Sequence, residues 1–360
     1  MKNHNIQVHF LGGAGTVTGS KYLVDSGDKK ILVDCGLFQG LKELRLKNWE
    51  YPPVKVADID VVLLTHGHMD HTGYLPRLVN QGFKGGILGT YPTLDIAKII
   101  LEDSAKIQEQ DAERANKEGY SKHSPAKPLY TLKDVEKTLS HFKGIPQSQW
   151  IPLYDKIKVR FQYNGHIIGA TFIELDINGK RFVFSGDIGR INDLLLYPPL
   201  KPEKADVLFI ESTYGGRFHP DELEVIPELE KLINETIKRG GSLFIPSFSV
   251  ERAQLIMLIL WKLTKSKKIP KVQMIMDSPM ANNVLELFHQ TRDWHRLDKQ
   301  ECDEMCSHFT IVSDYYQTMT LRTDNTPKIV IAGSGMLTGG RMLNYLETQA
   351  QNEMNTLLFI

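Results

Sequence analysis

Short apolar runs bounded by turn residues dominate the first part of the chain. Residues 6–11, 21–24 and 30–33 read as strands, with turn signals at Gly12-Gly13 and Ser26-Gly27-Asp28. Val61-Val62-Leu63-Leu64 has the length and continuity of a buried strand, and a short helix is expected behind it over residues 74–80. Ile96, Ile99, Ile100, Leu101 and Ile107 are spaced to line one face of a helix over residues 94–117. A polar loop is expected at 119–128 and another helix at 131–142. Strand patterns return at 157–163, 170–175 and 181–184, the last two joined through Asn178-Gly179, a strong hairpin signal. Residues 205–210 read as a further buried strand, ending at Glu211.

Beyond Glu211 the pattern changes. Apparent helices at 221–239, 252–263 and 281–289 alternate with strand-like runs at 242–246, 272–276 and 328–332. Alternation at this spacing implies parallel βαβ units, so the chain is expected to be α/β with two domains, residues 1–210 and 211–360. The length of 360 residues agrees with that division. The chain ends in the strand-like apolar run 356–360; a terminal strand can be native, but a chain stopping inside an apolar run is expected to be a fragment.

With 43 basic and 43 acidic residues, the formal charge is zero, so a polyanion would have to be held by a local patch. Three cysteines are too few for a disulfide framework, and no apolar leader precedes the first strand; a reducing, cytoplasmic setting is expected, with no membrane contact. Cys302 and Cys306 lie one helical turn apart near His308. One helix face offers only two good ligands and no second pair exists, so no metal site is expected there.

The densest chemistry is His66-Gly67-His68-Met69-Asp70-His71, four metal-binding side chains in six positions directly after a strand. Open α/β sheets place ligands at such strand ends, and imidazoles with a carboxylate suit zinc. His166, in Asn164-Gly165-His166, and Asp187, in Ser185-Gly186-Asp187, sit just past two later strands beside a glycine. Asp34 closes the strand at 30–33, either as a ligand or as an outer partner fixing a histidine tautomer. The glycine-rich residues 12–19 superficially resemble a phosphate loop, but a strand rather than a helix follows, which excludes a dinucleotide fold.

In this order, Asp34, the His66–His71 motif, His166 and Asp187 resemble the metallo-β-lactamase superfamily. Glu211-Ser212-Thr213-Tyr214-Gly215, residues 246–254, Asp277-Ser278-Pro279-Met280-Ala281 and residues 332–341 resemble the β-CASP insertion of its nucleic-acid-processing branch, and the likeness covers essentially the whole chain. The resemblance implies an αββα sandwich carrying an inserted β-CASP α/β domain, with the last part of the sandwich missing. It implies two Zn²⁺: His66, His68 and His166 on one, Asp70 and His71 on the other, and Asp187 bridging. Asp70 and Glu211 would be the catalytic residues, with Glu211 working with a histidine to assist proton donation to the leaving oxygen. Ser247, Ser249, Arg252, Ser334 and Gly335, at strand–helix junctions, would grip phosphates.

The implied function is hydrolysis of single-stranded RNA, from within or from an end, by a zinc-dependent ribonuclease similar to the short bacterial members. A DNA-directed nuclease and a zinc-containing nucleic-acid-binding protein without turnover are the alternatives, and a homodimer is left open. Small-molecule hydrolases of the superfamily need no such insertion. Relatives usually carry glycine where this chain has Glu251, before Arg252-Ala253-Gln254, and a carboxylate there would weaken phosphate binding. The resemblance also places two further histidines beyond Ile360, so these 360 residues are expected to hold the second zinc weakly and to cleave poorly.

Overall fold

The structure, a computed structural model, describes residues 5–217, 222–333, 335, 337 and 339–359. The chain divides into two compact units, Met1–Arg190 with Pro198–Gly215, and Ile191–Tyr197 with Gly216–Ile360.

The first unit holds two sheets. Strands β1 (Gln7–Gly12), β2 (Lys21–Asp25), β3 (Lys30–Val33), β4 (Val61–Leu63), β5 (Gly86–Thr90) and β6 (Phe142–Ile145) follow one another in order. The first three pair antiparallel and the rest parallel. Strands β7 (Ile151–Tyr154), β8 (Ile157–Tyr163), β9 (Thr171–Ile177), β10 (Lys180–Phe184) and β11 (Val207–Phe209) form the second sheet. Asn178 and Gly179 both take positive φ, the requirement of a type I′ hairpin turn, and set the β9–β10 register of Lys180 against Ile177.

Alternation along these strands builds the core. Val24, Ile31, Val33 and Leu63 from the first sheet meet Val159, Phe161, Ile173, Leu175 and Phe184 from the second in one buried cluster. Leu23, Leu32, Val62 and Ile87 point the other way, onto the helices Leu75–Asn80, Tyr91–Glu118 and Leu132–Leu139. Helix Tyr91–Glu118 starts on a Thr90 cap with Pro92 in its first turn and stops at Gly119, at φ +71°. The second sheet's outer side carries charge instead: Arg160 donates to the fully buried Glu174 at 2.5 Å, and Arg160 and Arg181 both lie over Trp150.

Two expectations change. The helix placed over 131–142 ends at Leu139, and Phe142 already belongs to β6. The strand expected to be buried at 205–210 shrinks to β11, where Val207 is 38 % and Leu208 49 % exposed. Among the described residues β11 pairs with β10 alone, so its hydrophobicity marks an edge.

The second unit is a parallel sheet of β12 (Leu243–Pro246), β13 (Gln273–Asp277), β14 (Thr310–Val312), β15 (Lys328–Ala332) and β16 (Thr356–Leu357), in the order β14-β13-β15-β12-β16. Helices Arg252–Lys265 and Ala281–Gln290 make two of the crossovers, and helix Glu222–Lys238 precedes β12; residue 221, its expected start, lies outside the described residues. Asp277, fully buried at the end of β13, accepts from Arg341 Nη1 at 2.8 Å and from Tyr345 OH at 2.7 Å.

Candidate metal centre and nucleic-acid contacts

The loop after β4 folds tightly because Gly67 has no side chain. A β-carbon there would lie 2.5 Å from Ile96 Cγ2, on the long helix. His68 then caps the short helix Met69–Thr72, which carries Asp70 in its first turn and His71 in its last. The loop after β8 is tied to the same long helix, since Thr90 and Thr93 hydroxyls both donate to Gly169 O, at 2.7 and 2.6 Å. Asn164 joins that loop to the one after β10, donating to Ser185 O at 3.0 Å and Asp187 O at 2.7 Å.

These loops bring His66, His68, His166 and Asp187 together, each offering a ligand atom within 4.8 Å of the others. His68 Nδ1 is 3.2 Å from His66 Nε2 and 3.2 Å from His166 Nε2. Asp187 Oδ2 lies 3.4 Å from His166 Nε2 and 3.8 Å from His66 Nε2. Its other oxygen, Oδ1, lies 3.2 Å from His71 Nε2, and Asp70 Oδ2 is 3.9 Å from that same nitrogen. One carboxylate therefore stands between two groups of donors.

Asp34 is the anchor behind them. It accepts from His71 Nδ1 at 2.7 Å, from Thr65 N at 2.8 Å and from Thr65 Oγ1 at 3.0 Å. Asp34 fixes the proton on Nδ1, so that if a metal ion took the place of the proton on Nε2, that nitrogen, which faces Asp187 and Asp70, would be the one to coordinate it. Thr65 Oγ1 also lies 3.1 Å from His66 Nδ1, so the same hydroxyl orients a second ring.

Electrostatics follow from this packing. Burial, followed by the charge of His71, holds His66 well below its usual value, and burial also lowers His68. Both rings are thus kept neutral, with lone pairs to donate. Burial opposes charge on His71 too, but Asp34 and Asp70 outweigh it and raise its pKa well above normal. Burial would raise Asp187, yet the hydrogen bond and charge of His71, then His66 and His166, hold its carboxyl far below the usual range. Clustered imidazole nitrogens at 3.2 Å with an ionised carboxylate among them are a donor set for cations, so the residues fit divalent metal.

Glu211 is fixed on the wall of a cleft of about 600 Å³ that also contains Asp34, His71, Asp187, Phe10 and Tyr22. Its carboxylate accepts from Ile188 N at 3.3 Å and Thr213 N at 3.1 Å. In the second unit, Ser247, Ser249 and Gly335 occupy loops after parallel strands and Arg252 opens the helix after β12; Ser334 lies outside the described residues. Ser249 Oγ is 2.9 Å from Ser278 Oγ, and a β-carbon on Gly335 would lie 3.1 Å from the Phe248 ring, so the loops after β12, β13 and β15 converge. Ser247 is buried with its hydroxyl donating to Phe248 O at 3.0 Å, a loop-stabilising contact.

Sequence reasoning missed Thr65 and Asn164. Each adjoins a candidate ligand at the end of an apolar strand, which was the available signal.

The sandwich of two sheets with donors at its strand ends defines a metallo-β-lactamase fold. The family model of the metallo-β-lactamase superfamily matches residues 14–96, and that of the Beta-Casp domain matches residues 253–360. The chain is 33% identical over 362 residues to Ribonuclease TTHA0252 of Thermus thermophilus, covering 97% of this chain and 78% of the relative. It is 30% identical to the Transcription termination factor FttA of Lokiarchaeum sp. and 28% to the Endoribonuclease YSH1 of Candida glabrata; 99% of this chain is covered in both, but only 56% and 47% of those proteins. The chain thus spans about half the length of these two. A structure from Enterococcus faecalis of unknown function shares the fold, with TM-score 0.50 and 15% identity over 91% of this chain and 77% of that one. The chain belongs to the β-CASP family of metallo-β-lactamase-fold nucleases, as the motifs in its sequence implied.

Proposed function

We propose that the chain is a zinc-dependent phosphodiesterase that hydrolyses single-stranded RNA. The carrying observation is Asp187, whose two oxygens face two separate donor groups, His66/His68/His166 and His71/Asp70. If two divalent ions were bound, His66, His68 and His166 would hold one and Asp70 and His71 the other, with Asp187 within reach of both, and the imidazole-rich set would favour Zn²⁺. When bound, such a pair supplies a water deprotonated near neutral pH and neutralises charge building on the phosphoryl oxygens.

The protein's own groups do the rest. Asp34 and Thr65 orient His71 and His66 through their Nδ1 atoms, so that their Nε2 atoms would face a bound metal. Glu211, fastened by two backbone N–H groups on the cleft wall, is the carboxylate that would help carry a proton toward the leaving oxygen. In the second unit, Ser249, Arg252 and Gly335 lie at strand–helix junctions, where a hydroxyl and a guanidinium suit phosphates; such contacts position a strand without reading its sequence. RNA as the substrate is supported by the names of the relatives, a ribonuclease and an endoribonuclease among them.

Matched end-labelled RNA and DNA strands incubated with zinc would test this reading. RNA cleavage is expected, lost in EDTA and reduced at least about 100-fold in His68→Ala. Undiminished cleavage in EDTA, or a preference for DNA, would refute it.

A further inference from the structure

In the second unit, the structure alters the reading of Cys302 and Cys306. The sequence offers His308 as their neighbour, but His308 sits at the end of helix Lys299–Ser307 against Phe309. The imidazole that joins the cysteines is His289, from the last turn of helix Ala281–Gln290. Its ligand atom and the two sulfurs lie within 4.8 Å of one another. The obstacle seen in the sequence, that one helix face supplies only two ligands, is removed by a second helix.

We propose that Cys302, Cys306 and His289 form a second metal site, for a borderline-soft divalent cation of the Zn²⁺ class. Tetrahedral zinc with Zn–S of about 2.3 Å and Zn–N of about 2.0–2.1 Å needs its ligand atoms about 3.5–3.8 Å apart, so the three need close in by no more than about 1.3 Å. Cys302 and Cys306, at i and i+4, stand on one helix face. Asp303 Oδ1 lies 3.3 Å from His289 Nδ1, the carboxylate–histidine contact that fixes a ligand ring's tautomer. Cys302 is buried while His289 and Cys306 are half-buried, so an ion could enter without unfolding the helix pair, and a fourth position is left for water. Loading the ion would release the thiol protons, since thiolate is the ligand form.

The proposal does not depend on the hydrolytic reading, because cobalt distinguishes the sites. Sulfur ligation to Co²⁺ gives an intense near-ultraviolet charge-transfer band, which the histidine–carboxylate centre cannot. Titration of the full chain with Co²⁺ under reducing conditions should produce that band, and Zn²⁺ should displace it. Cys306→Ser and His289→Gln, at half-buried positions, should weaken cobalt binding at this site about 100-fold, and Asp303→Asn about 10-fold. His68→Ala should leave the band intact. Absence of the band in the wild-type chain would overturn the proposal, as would a band that survives Cys306→Ser.

Discussion

Asp34 sits at φ +58°, a left-handed backbone that a non-glycine residue adopts only when its surroundings impose it. Its side chain supplies the reason, since both oxygens are engaged by Thr65, His71 and Ser20. Asp34→Asn is expected to weaken metal at the Asp70–His71 side about 10–100-fold, measured by competition with a chromogenic chelator. Lys21 is a second buried residue with a measurable signature. Burial lowers it from 10.5 to about 8, with its ammonium 4.5 Å from the Phe38 ring centre and 3.3 Å from Gly19 O. Because the folded value is the lower, stability is fully present above pH 10.5 and is lost as pH falls through about 8. Between pH 7.5 and 10.5, urea unfolding should therefore show the wild type gaining up to ~3 kcal/mol relative to Lys21→Met. At this scale the candidate ligands were legible in the sequence, because metal chemistry permits few residue types. Thr65 and Asn164 were not, because a hydroxyl or amide acquires its role only from what the fold sets beside it.

Elements were legible where pattern and local chemistry agreed. Strands β3, β8 and β15 stand on the residues expected from their apolar runs, and the Asn178-Gly179 turn is where its dipeptide put it. Strands β5, β6 and β7 are not legible in the sequence for physical reasons: Gly86-Ile87-Leu88-Gly89-Thr90 and Phe142-Lys143-Gly144-Ile145 are diluted by glycine, and β7 contains Pro152. Only the neighbouring strands make these segments extended. The junction before helix Arg252–Lys265 shows the opposite case, an element strained by its residue. Arg252 N donates to Val250 O at 3.0 Å around Glu251, at φ +66° and ψ −63°, which is the rare γ-turn geometry. Glycine enters this region freely, so Glu251→Gly should raise the unfolding free energy by about 1 kcal/mol, measured by urea denaturation. The same variant should bind an oligonucleotide more tightly, since a carboxylate beside Arg252 is removed.

At the scale of the whole molecule, the chain has separate buried cores in its two units. Phe161 is fully buried in the first and Ile275 in the second. Calorimetry should resolve more than one transition, with Phe161→Ala lowering one by about 3–5 kcal/mol and Ile275→Ala the other by about 2–5 kcal/mol. A single transition shifted equally by both would contradict that expectation. Asp34, the His66–His71 loop, His166 and Asp187 come from four strand ends spread across two sheets, with Asn164 bridging the last two loops. Such contacts are distant in sequence and form late, after both sheets have met. A ribosome still threading out residue 150 would therefore expose only part of the donor set. An RNA-cutting enzyme made in the midst of RNA would stay inert until its second sheet had closed, so maturation of the blade is timed by topology.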